Sequence, residues 1–257
     1  MDKTVLITGG TKGIGKYTAK FLASSGYRII VNYRSNDEEA IEFASELSQI
    51  SRQSCSAIKA DIASKEGSLS LINQLNDKGI QHIDVLIHNA GPYIAERKKM
   101  TEYSFEEWDH MINGNLNAVF YLSRHIVPLM RENQWGRLIM FGYDRVDTAP
   151  GWVYRSAFAS AKSGLASLTK TIALEEAENG ITANMICPGD IEGAWKELGI
   201  KDAAGSGDHE NPVGRPGSGE DIARVLSFLI HEDSGFITGA IIPVTGGKDV
   251  LGKIYRK

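Results

Sequence analysis

The stretch "TVLITGGTKGIG", residues 4–15, decides the fold. Five apolar or β-branched residues come first, as in a buried strand, and a glycine-rich turn and the start of a helical pattern follow. Glycines in such a turn let the backbone approach a phosphate, while the helix that follows points its N-terminal amides at the anion. The stretch therefore predicts the first strand, turn and helix of a nucleotide-binding fold.

Six further short apolar runs alternate with longer segments that carry apolar residues at helical spacing. The predicted strands are residues 4–8, 28–33, 54–59, 83–88, 136–142, 181–187 and 240–244. They are nearly continuous in hydrophobicity, which is typical of strands covered on both faces. The alternation predicts one α/β domain over residues 1–257, a Rossmann-type doubly wound parallel sheet of about seven strands with helices on both faces.

Composition excludes several functions. The net charge of −4 and the absence of a basic tract argue against nucleic-acid binding. No apolar run is long enough to cross a membrane, and no signal peptide is expected. The two cysteines, Cys55 and Cys187, lie far apart, and the histidines lack metal-ligand spacing, so we expect a cytoplasmic protein without a metal.

The end of the second predicted strand indicates which dinucleotide binds. An acidic residue there would hold a ribose hydroxyl, but this chain has Asn32, Tyr33 and Arg34. Arg34 can form paired hydrogen bonds with a phosphate, and Lys12 in the glycine turn adds a second positive charge. The pattern favours NADP(H) over NAD(H).

Eight motifs in order resemble the short-chain dehydrogenase/reductase family over essentially the whole chain, with the 3-oxoacyl-carrier-protein reductase-like branch as the nearest match. They are "TGGTKGIG" (8–15), "ADI" (60–62), "HNAG" (88–91), "NGNLNAVF" (113–120), "ASAKSGLASLTKTIALE" (159–175), "NMICPGDI" (184–191), "GRPGSGEDIA" (214–223) and "ITGAIIPVTGG" (237–247). The resemblance implies a dimer or tetramer formed through helices near residues 104–132 and 155–178.

The resemblance also implies roles for individual residues. Asn115 would organise a proton-relay water, and Lys162 would bind the nicotinamide ribose and lower the pKa of a neighbouring phenol. The glycine turn would hold the pyrophosphate, Asp61 and Ile62 would meet the adenine, and the remaining residues would line the ribose and nicotinamide. The implied cofactor residues are Gly9, Thr11, Lys12, Gly13, Ile14, Gly15, Asn32, Tyr33, Arg34, Asp61, Ile62, Asn89, Ala90, Gly91, Lys162, Pro188, Gly189 and Ile191.

The segment "VYRSAFASAKSG", residues 153–164, departs from the family pattern. The family's acid is a tyrosine four residues before the lysine, a spacing that places both side chains on one helix face about 6 Å apart along the axis. Phe158 occupies that position and has no proton to donate. The sequence therefore predicts an altered active site.

Three explanations of this alteration stay open. Another tyrosine could supply the proton: Tyr143 would lie at the carboxyl end of a central strand, and Tyr154 would reach the site if the chain before residue 156 folds back over it. The chain could instead bind NADP(H) without catalysis, as a regulator or subunit. In the third explanation, water or a substrate group supplies the proton.

We expect an NADPH-dependent oxidoreductase that transfers hydride to a carbonyl substrate of the 3-oxoacyl-thioester kind. The alternatives are an enoyl-thioester reductase with a displaced tyrosine and a non-catalytic NADP(H)-binding protein. Residues 190–218, rich in Gly, Asp and Pro, are predicted to form a lid over the substrate. Trp152 and Trp195 are interpreted as wall and surface packing, with contact to the substrate as the alternative. The lid residues Trp195, Lys196 and His209 are predicted to shape the substrate site.

Overall fold

Seven parallel strands form one sheet in the order β3-β2-β1-β4-β5-β6-β7. The computed structural model describes residues 3–208, 210–249 and 251. The predicted Rossmann-type fold is confirmed, and every predicted strand coincides with an observed one. The strands are β1 (Thr4–Ile7), β2 (Arg28–Tyr33), β3 (Ser56–Lys59), β4 (Val85–His88), β5 (Gly136–Phe141), β6 (Ile181–Pro188) and β7 (Ile241–Val244).

Helices cover both faces of the sheet. They are α1 (Gly13–Ser24), α2 (Asp37–Ser51), α3 (Lys65–Asp77), α4 (Phe105–Ile112), α5 (Ala118–Glu132), α6 (Ser156–Glu176), α7 (Ile200–Ala204) and α8 (Gly219–Leu229). Buried residues of α3, α5 and α6 pack in one apolar cluster with the sheet, and those of α1, α2 and α8 pack in another. Because both faces are covered, strand residues such as Val5, Leu6 and Ile7 are all fully buried.

The order of the strands determines where a ligand can bind. β1 pairs with β2 on one side and with β4 on the other, so the chain changes winding direction at β1. In open α/β sheets this reversal leaves a crevice outside the carboxyl ends of the strands. The glycine turn after β1 and the loop after β4 therefore face the same crevice.

The long helical pattern near residues 105–133 is interrupted in the structure. A π-helical turn, Asn113–Asn117, separates α4 from α5. Gly114 lies in this turn against the ring of Pro92, where a β-carbon would be 2.3 Å from Pro92 Cδ. The π-helical turn contains one more residue than an α-helical turn, and Asn115 in it contacts the loop after β4. Such π-helical turns occur frequently at functional sites.

Residues 190–218, predicted as a lid, contain two short helical segments in the structure: the 3₁₀ helix Gly193–Glu197 and α7. The first of these packs against α1 and α8. Trp195 joins the apolar cluster on that face of the sheet, whereas His209 lies outside the described residues. Among the helices of the described residues, none has the length and hydrophobicity needed to span a membrane.

Candidate functional site

A cleft of about 230 Å³ opens at the carboxyl ends of β1, β2 and β4. It brings together predicted cofactor residues from four separate stretches of the sequence. Its lining consists of Gly9, Asn32, Tyr33, Arg34, Ala60, Asp61, Ile62, Ala63, Ala90, Gly91, Pro92, His110 and Gly114. Asp61 and Ile62, which were predicted to meet the adenine, line the same cleft as Gly9 of the glycine turn.

The glycine turn is held close to the loop after β4. Asn89 Nδ2 donates hydrogen bonds to the carbonyl oxygens of Thr8 and Gly9, at 2.9 and 3.0 Å. Gly9 has a φ of +60°, and a β-carbon on Gly15 would be 2.5 Å from Asn89 Nδ2. Side chains at these glycines would therefore push the two loops apart. This close approach places the glycine turn at the start of α1, where backbone amides can bind a phosphate.

Of the residues predicted to select the dinucleotide, those at the end of β2 are buried, whereas the two cations are exposed. Asn32 is buried and donates to Ala60 O at 3.0 Å, which ties β2 to the end of β3. Burial raises the pKa of Tyr33, so its phenol stays neutral. Arg34 and Lys12 are exposed, and neither forms an ion pair with another described residue. These two cations are consequently available to a phosphate group.

A carboxylate lies at the start of α1. Glu197 Oε1 accepts a hydrogen bond of 2.7 Å from the backbone amide of Gly13, and Oε2 lies 3.5 Å from Lys16 Nζ. The aliphatic part of Lys196 passes within van der Waals distance of Gly13. Nothing in the sequence pattern identified Glu197, because only the fold brings residue 197 to the turn at residue 13.

The loop after β6, which was predicted to border the nicotinamide, has a tightly packed backbone. The amide of Gly189 donates to Val244 O at 2.9 Å, and a β-carbon there would be 2.8 Å from Thr245 Cα. Ile191 is buried against Gly217. The loop that includes Pro188 is thereby fixed at the edge of the crevice.

Lys162 projects from α6 into the floor of the crevice. Its side chain is buried, and Nζ lies 3.7 Å from the position of a β-carbon on Gly91. Burial lowers the pKa of the ammonium from its usual range to about 8. A partly desolvated cation in this place can stabilise negative charge that develops on a bound oxygen.

Asn115 faces the same point from the π-helical turn. Its Nδ2 donates to Pro92 O at 2.9 Å and to Met111 O at 3.0 Å, which fixes the orientation of the amide. Its Oδ1 is buried without a hydrogen-bond partner among the described residues, and a β-carbon on Gly91 would be 2.4 Å from it. An unpaired buried acceptor beside Lys162 is suited to a bound water or ligand hydroxyl.

Phe158 lies one turn before Lys162 on α6, and its ring centroid is 5.7 Å from Lys162 Nζ. Three other rings surround it. Tyr93 and Trp152 have centroids 5.2 and 5.9 Å away, and their planes make angles of 87° and 73° with that of Phe158. Tyr143 lies at 6.2 Å.

Tyr143 is the buried member of this aromatic group. It packs on Trp152 with a centroid distance of 5.0 Å, and its hydroxyl contacts Pro150 O and Ser163 Oγ, both at 3.3 Å. Burial raises the pKa of its phenol. The hydroxyl is thus oriented by protein atoms.

Tyr154 has an unusual backbone, with φ at +64°. Its carbonyl oxygen accepts hydrogen bonds from the Tyr103 hydroxyl at 3.3 Å and from Arg155 Nη1 at 2.9 Å. Its ring lies 5.9 Å from the Arg97 guanidinium. Those contacts hold a left-handed conformation that costs a tyrosine on the order of 1 kcal/mol or more.

Tyr93 is a residue that the sequence reasoning missed. It follows the "HNAG" motif, and its hydroxyl accepts a hydrogen bond of 2.7 Å from Arg155 Nε. Arg155 also donates to the carbonyl oxygens of Ala95 and Glu96, so it attaches this loop to the start of α6. The position of Tyr93 two residues after the "HNAG" motif was the available signal.

His88 lies at the end of β4 behind Lys162. It is buried, and its Nε2 lies 3.1 Å from Ser123 Oγ. Desolvation, with a smaller effect of the nearby Lys162 charge, lowers its pKa to about 3. The imidazole is therefore neutral near pH 7 and has a structural hydrogen bond.

Comparison with known proteins agrees with this geometry. Residues 9–249 match the family model described as enoyl-(acyl carrier protein) reductase. "Putative oxidoreductase YtkK" of Bacillus subtilis (strain 168) is 49% identical over 96% of this chain and 97% of its own length. An acetoacetyl-CoA reductase of Rhizobium meliloti (strain 1021) is 32% identical over 96% and 99%.

The chain belongs to the short-chain dehydrogenase/reductase family. A solved structure from Bacillus thuringiensis, described as a "putative 3-oxoacyl-reductase", superposes with a TM-score of 0.90 at 46% identity, covering 98% of this chain and 100% of that one. The chain is therefore an oxidoreductase of the short-chain type, and members of this family bind nicotinamide cofactors.

Proposed function

We propose that this short-chain dehydrogenase/reductase uses NADPH to reduce a carbonyl compound, with 3-oxoacyl thioesters as the first candidates. The observation that carries the proposal is the cleft lined by Arg34 and Gly91, with Lys162 and Asn115 next to Gly91. The cleft has Arg34 as a cation for a 2′-phosphate, and Lys162 supplies a buried ammonium beside an unpaired Asn115 oxygen. The names of related acetoacetyl-CoA and 3-oxoacyl-carrier-protein reductases support the substrate class.

The residues present fit a dinucleotide. Gly9 and Gly15 have no room for side chains, and Asp61 and Ile62 line the cleft. NADPH, when bound, supplies the hydride. Lys162 would hold the nicotinamide ribose and place a positive charge near the oxygen that becomes negative. Asn115 would accept a hydrogen bond from a water that returns protons to the site.

The proton donor for a ketone is proposed to be a tyrosine other than residue 158. Tyr143 and Tyr154 remain the predicted candidates, and their single Tyr→Phe variants test them separately. Loss of acetoacetyl-CoA reduction in one variant, with NADPH binding unchanged, would identify the acid. Unchanged rates in both would reject both assignments.

A second candidate is reduction of an enoyl thioester, which the match to the enoyl-reductase family model and the absence of a phenol at residue 158 favour. A non-catalytic NADP(H)-binding regulator is the remaining alternative. NADPH titration followed by turnover with acetoacetyl-CoA and crotonyl-CoA distinguishes the three functions. Tight NADPH binding with no turnover of any acceptor would favour the regulator.

We further propose a cytoplasmic homodimer or homotetramer. Large apolar side chains are exposed on α4, α5 and α6: Phe105 at 87%, Phe120 at 49% and Leu174 at 82%. These side chains lie on the helices that were predicted to form the interface. Both cysteines are free thiols, which fits the reducing conditions of the cytoplasm. Light scattering of the purified chain would give the mass, and a monomer would contradict this part of the proposal.

A further inference from the structure

We propose that Glu197 is an internal competitor of the cofactor. In the empty enzyme its carboxylate occupies the backbone amide of Gly13, to which a cofactor phosphate binds, and it thereby slows association of NADPH. This role rests on the proposed function, which places the phosphates of the dinucleotide at the glycine turn. It assigns a regulatory residue of the cofactor site to the segment 190–218.

The carboxylate lies where a helix attracts anions. Gly13 is the first residue of α1, and its amide donates to Glu197 Oε1 at 2.7 Å, while Oε2 lies 3.5 Å from Lys16 Nζ. Within the part of the chain that the structure describes, the N-cap residue Lys12 forms no side-chain hydrogen bond with α1, and the first turn of α1 has no acidic residue. The helix therefore supplies no anion of its own, and Glu197 takes the place that a phosphate would have.

The backbone on both sides of Glu197 is held against the first turn of α8. A β-carbon on Gly219 would be 2.3 Å from the carbonyl oxygen of Lys196, so the two segments are in close contact. The amide of Ile200 donates to Glu220 Oε2 at 2.9 Å. A group that is tethered beside its binding position has a high effective concentration there. Glu197 can therefore compete with a cofactor even though its own contact is weak.

The Glu197 side chain can leave without movement of the backbone. It is 42% exposed, so rotation into solvent frees the Gly13 amide and restores hydration of the carboxylate. Only molecules in which the carboxylate has turned away can bind a phosphate at this amide. Association of the cofactor is slowed in proportion to that fraction, whereas dissociation of bound cofactor is not affected.

Stopped-flow fluorescence of NADPH with the full chain measures the two rate constants separately. Glu197→Gln should raise the association rate constant by about threefold to tenfold, because a neutral amide forms a weaker hydrogen bond with Gly13 than a carboxylate does. Glu197→Ala should raise it at least as much. The dissociation rate constant should change by less than about twofold in both variants. Glu192→Gln is the matched control, because it removes the same charge from an exposed residue of the same segment and should leave both rate constants nearly unchanged.

A variant that keeps the charge separates competition from simple repulsion. Glu197→Asp retains the carboxylate but shortens the side chain by one methylene, which withdraws it from the Gly13 amide while the backbone stays in place. Association should therefore be faster in Glu197→Asp than in wild type. If Glu197→Asp associates as slowly as wild type while Glu197→Gln is faster, negative charge alone explains the effect and the internal competitor is rejected.

Three further results would overturn the proposal. They are an unchanged or slower association in Glu197→Gln, an equal acceleration in Glu192→Gln, and a gain in affinity that arises entirely from slower dissociation. Failure of NADPH to bind to wild type and to every variant is a different outcome, because it contradicts the proposed function on which the role of Glu197 rests.

Discussion

The crevice has two halves that differ in how closely they follow the pattern of the family. The cofactor half, from the glycine turn to the end of β2, has a cleft lined by Gly9, Arg34 and Asp61, residues that keep the family pattern. The substrate half keeps Lys162 and Asn115 but places a phenylalanine one turn before the lysine and encloses it with three further rings. We therefore expect cofactor binding and proton donation to depend on separate parts of the chain.

The largest effect is expected from removal of the Lys162 ammonium. Lys162→Ala should lower kcat by about 100-fold or more with the best acceptor, because the developing oxyanion loses its nearest cation. NADPH affinity should fall much less, since most of the cofactor's contacts lie in the other half. Stopped-flow NADPH oxidation and equilibrium titration would measure the two effects, with the exposed Lys170→Ala on the same helix as the control. Equal losses in binding and turnover would contradict the separation of the halves.

The preference for NADPH over NADH should depend on Arg34, which lies in the cofactor half. Arg34→Ala should weaken NADPH binding by about tenfold to a hundredfold and leave NADH binding nearly unchanged, because it removes charge-assisted hydrogen bonds to the 2′-phosphate. Calorimetric titration with both cofactors measures the ratio, and Arg52→Ala on the surface of α2 is the control. A ratio that stays constant would show that Arg34 does not contact the phosphate.

The pH dependence of kcat/KM should follow the protonation of Lys162 in the substrate half. Lys162 has its pKa lowered to about 8 by burial, so the ammonium is present below that pH and is lost as pH rises through it. We expect kcat/KM to be level below about pH 8 and to fall by about tenfold per unit above it. Lys162→Arg should remove this decline, since arginine stays protonated. A wild-type profile that rises through the same range would contradict the role of the ammonium.

The smallest predicted effect concerns the boundary between the lid and the cofactor half. Glu197 accepts the hydrogen bond of the Gly13 amide, which a phosphate oxygen would otherwise accept. Its carboxylate also places a negative charge beside the position of that phosphate. Glu197→Gln should therefore tighten NADPH binding by about threefold to tenfold. Glu66→Gln, an exposed change at the start of α3, is the control for the same titration. Weaker binding in Glu197→Gln would indicate that the carboxylate supports the bound state.

The fold and the cofactor half could be predicted from sequence because their signals are local. Buried strands such as residues 4–8 and the glycine turn after them have patterns that need no distant partner. The substrate half could be predicted only in part. The lack of a hydroxyl at Phe158 is visible in the sequence, but the contact between Tyr93 and Phe158 joins residues 65 positions apart. Glu197 at the start of α1 and the Tyr93–Arg155 hydrogen bond also depend on tertiary structure.

The most direct test of the account compares wild type with Phe158→Tyr on acetoacetyl-CoA, with NADPH affinity measured in the same preparations. The account predicts equal NADPH affinity in the two proteins and a wild type that reduces acetoacetyl-CoA at least as fast as Phe158→Tyr, because the proposed acid is a tyrosine other than residue 158. An increase in kcat of about 100-fold or more in Phe158→Tyr would contradict this account, because it would show that the wild-type site lacks the acid that a ketone requires.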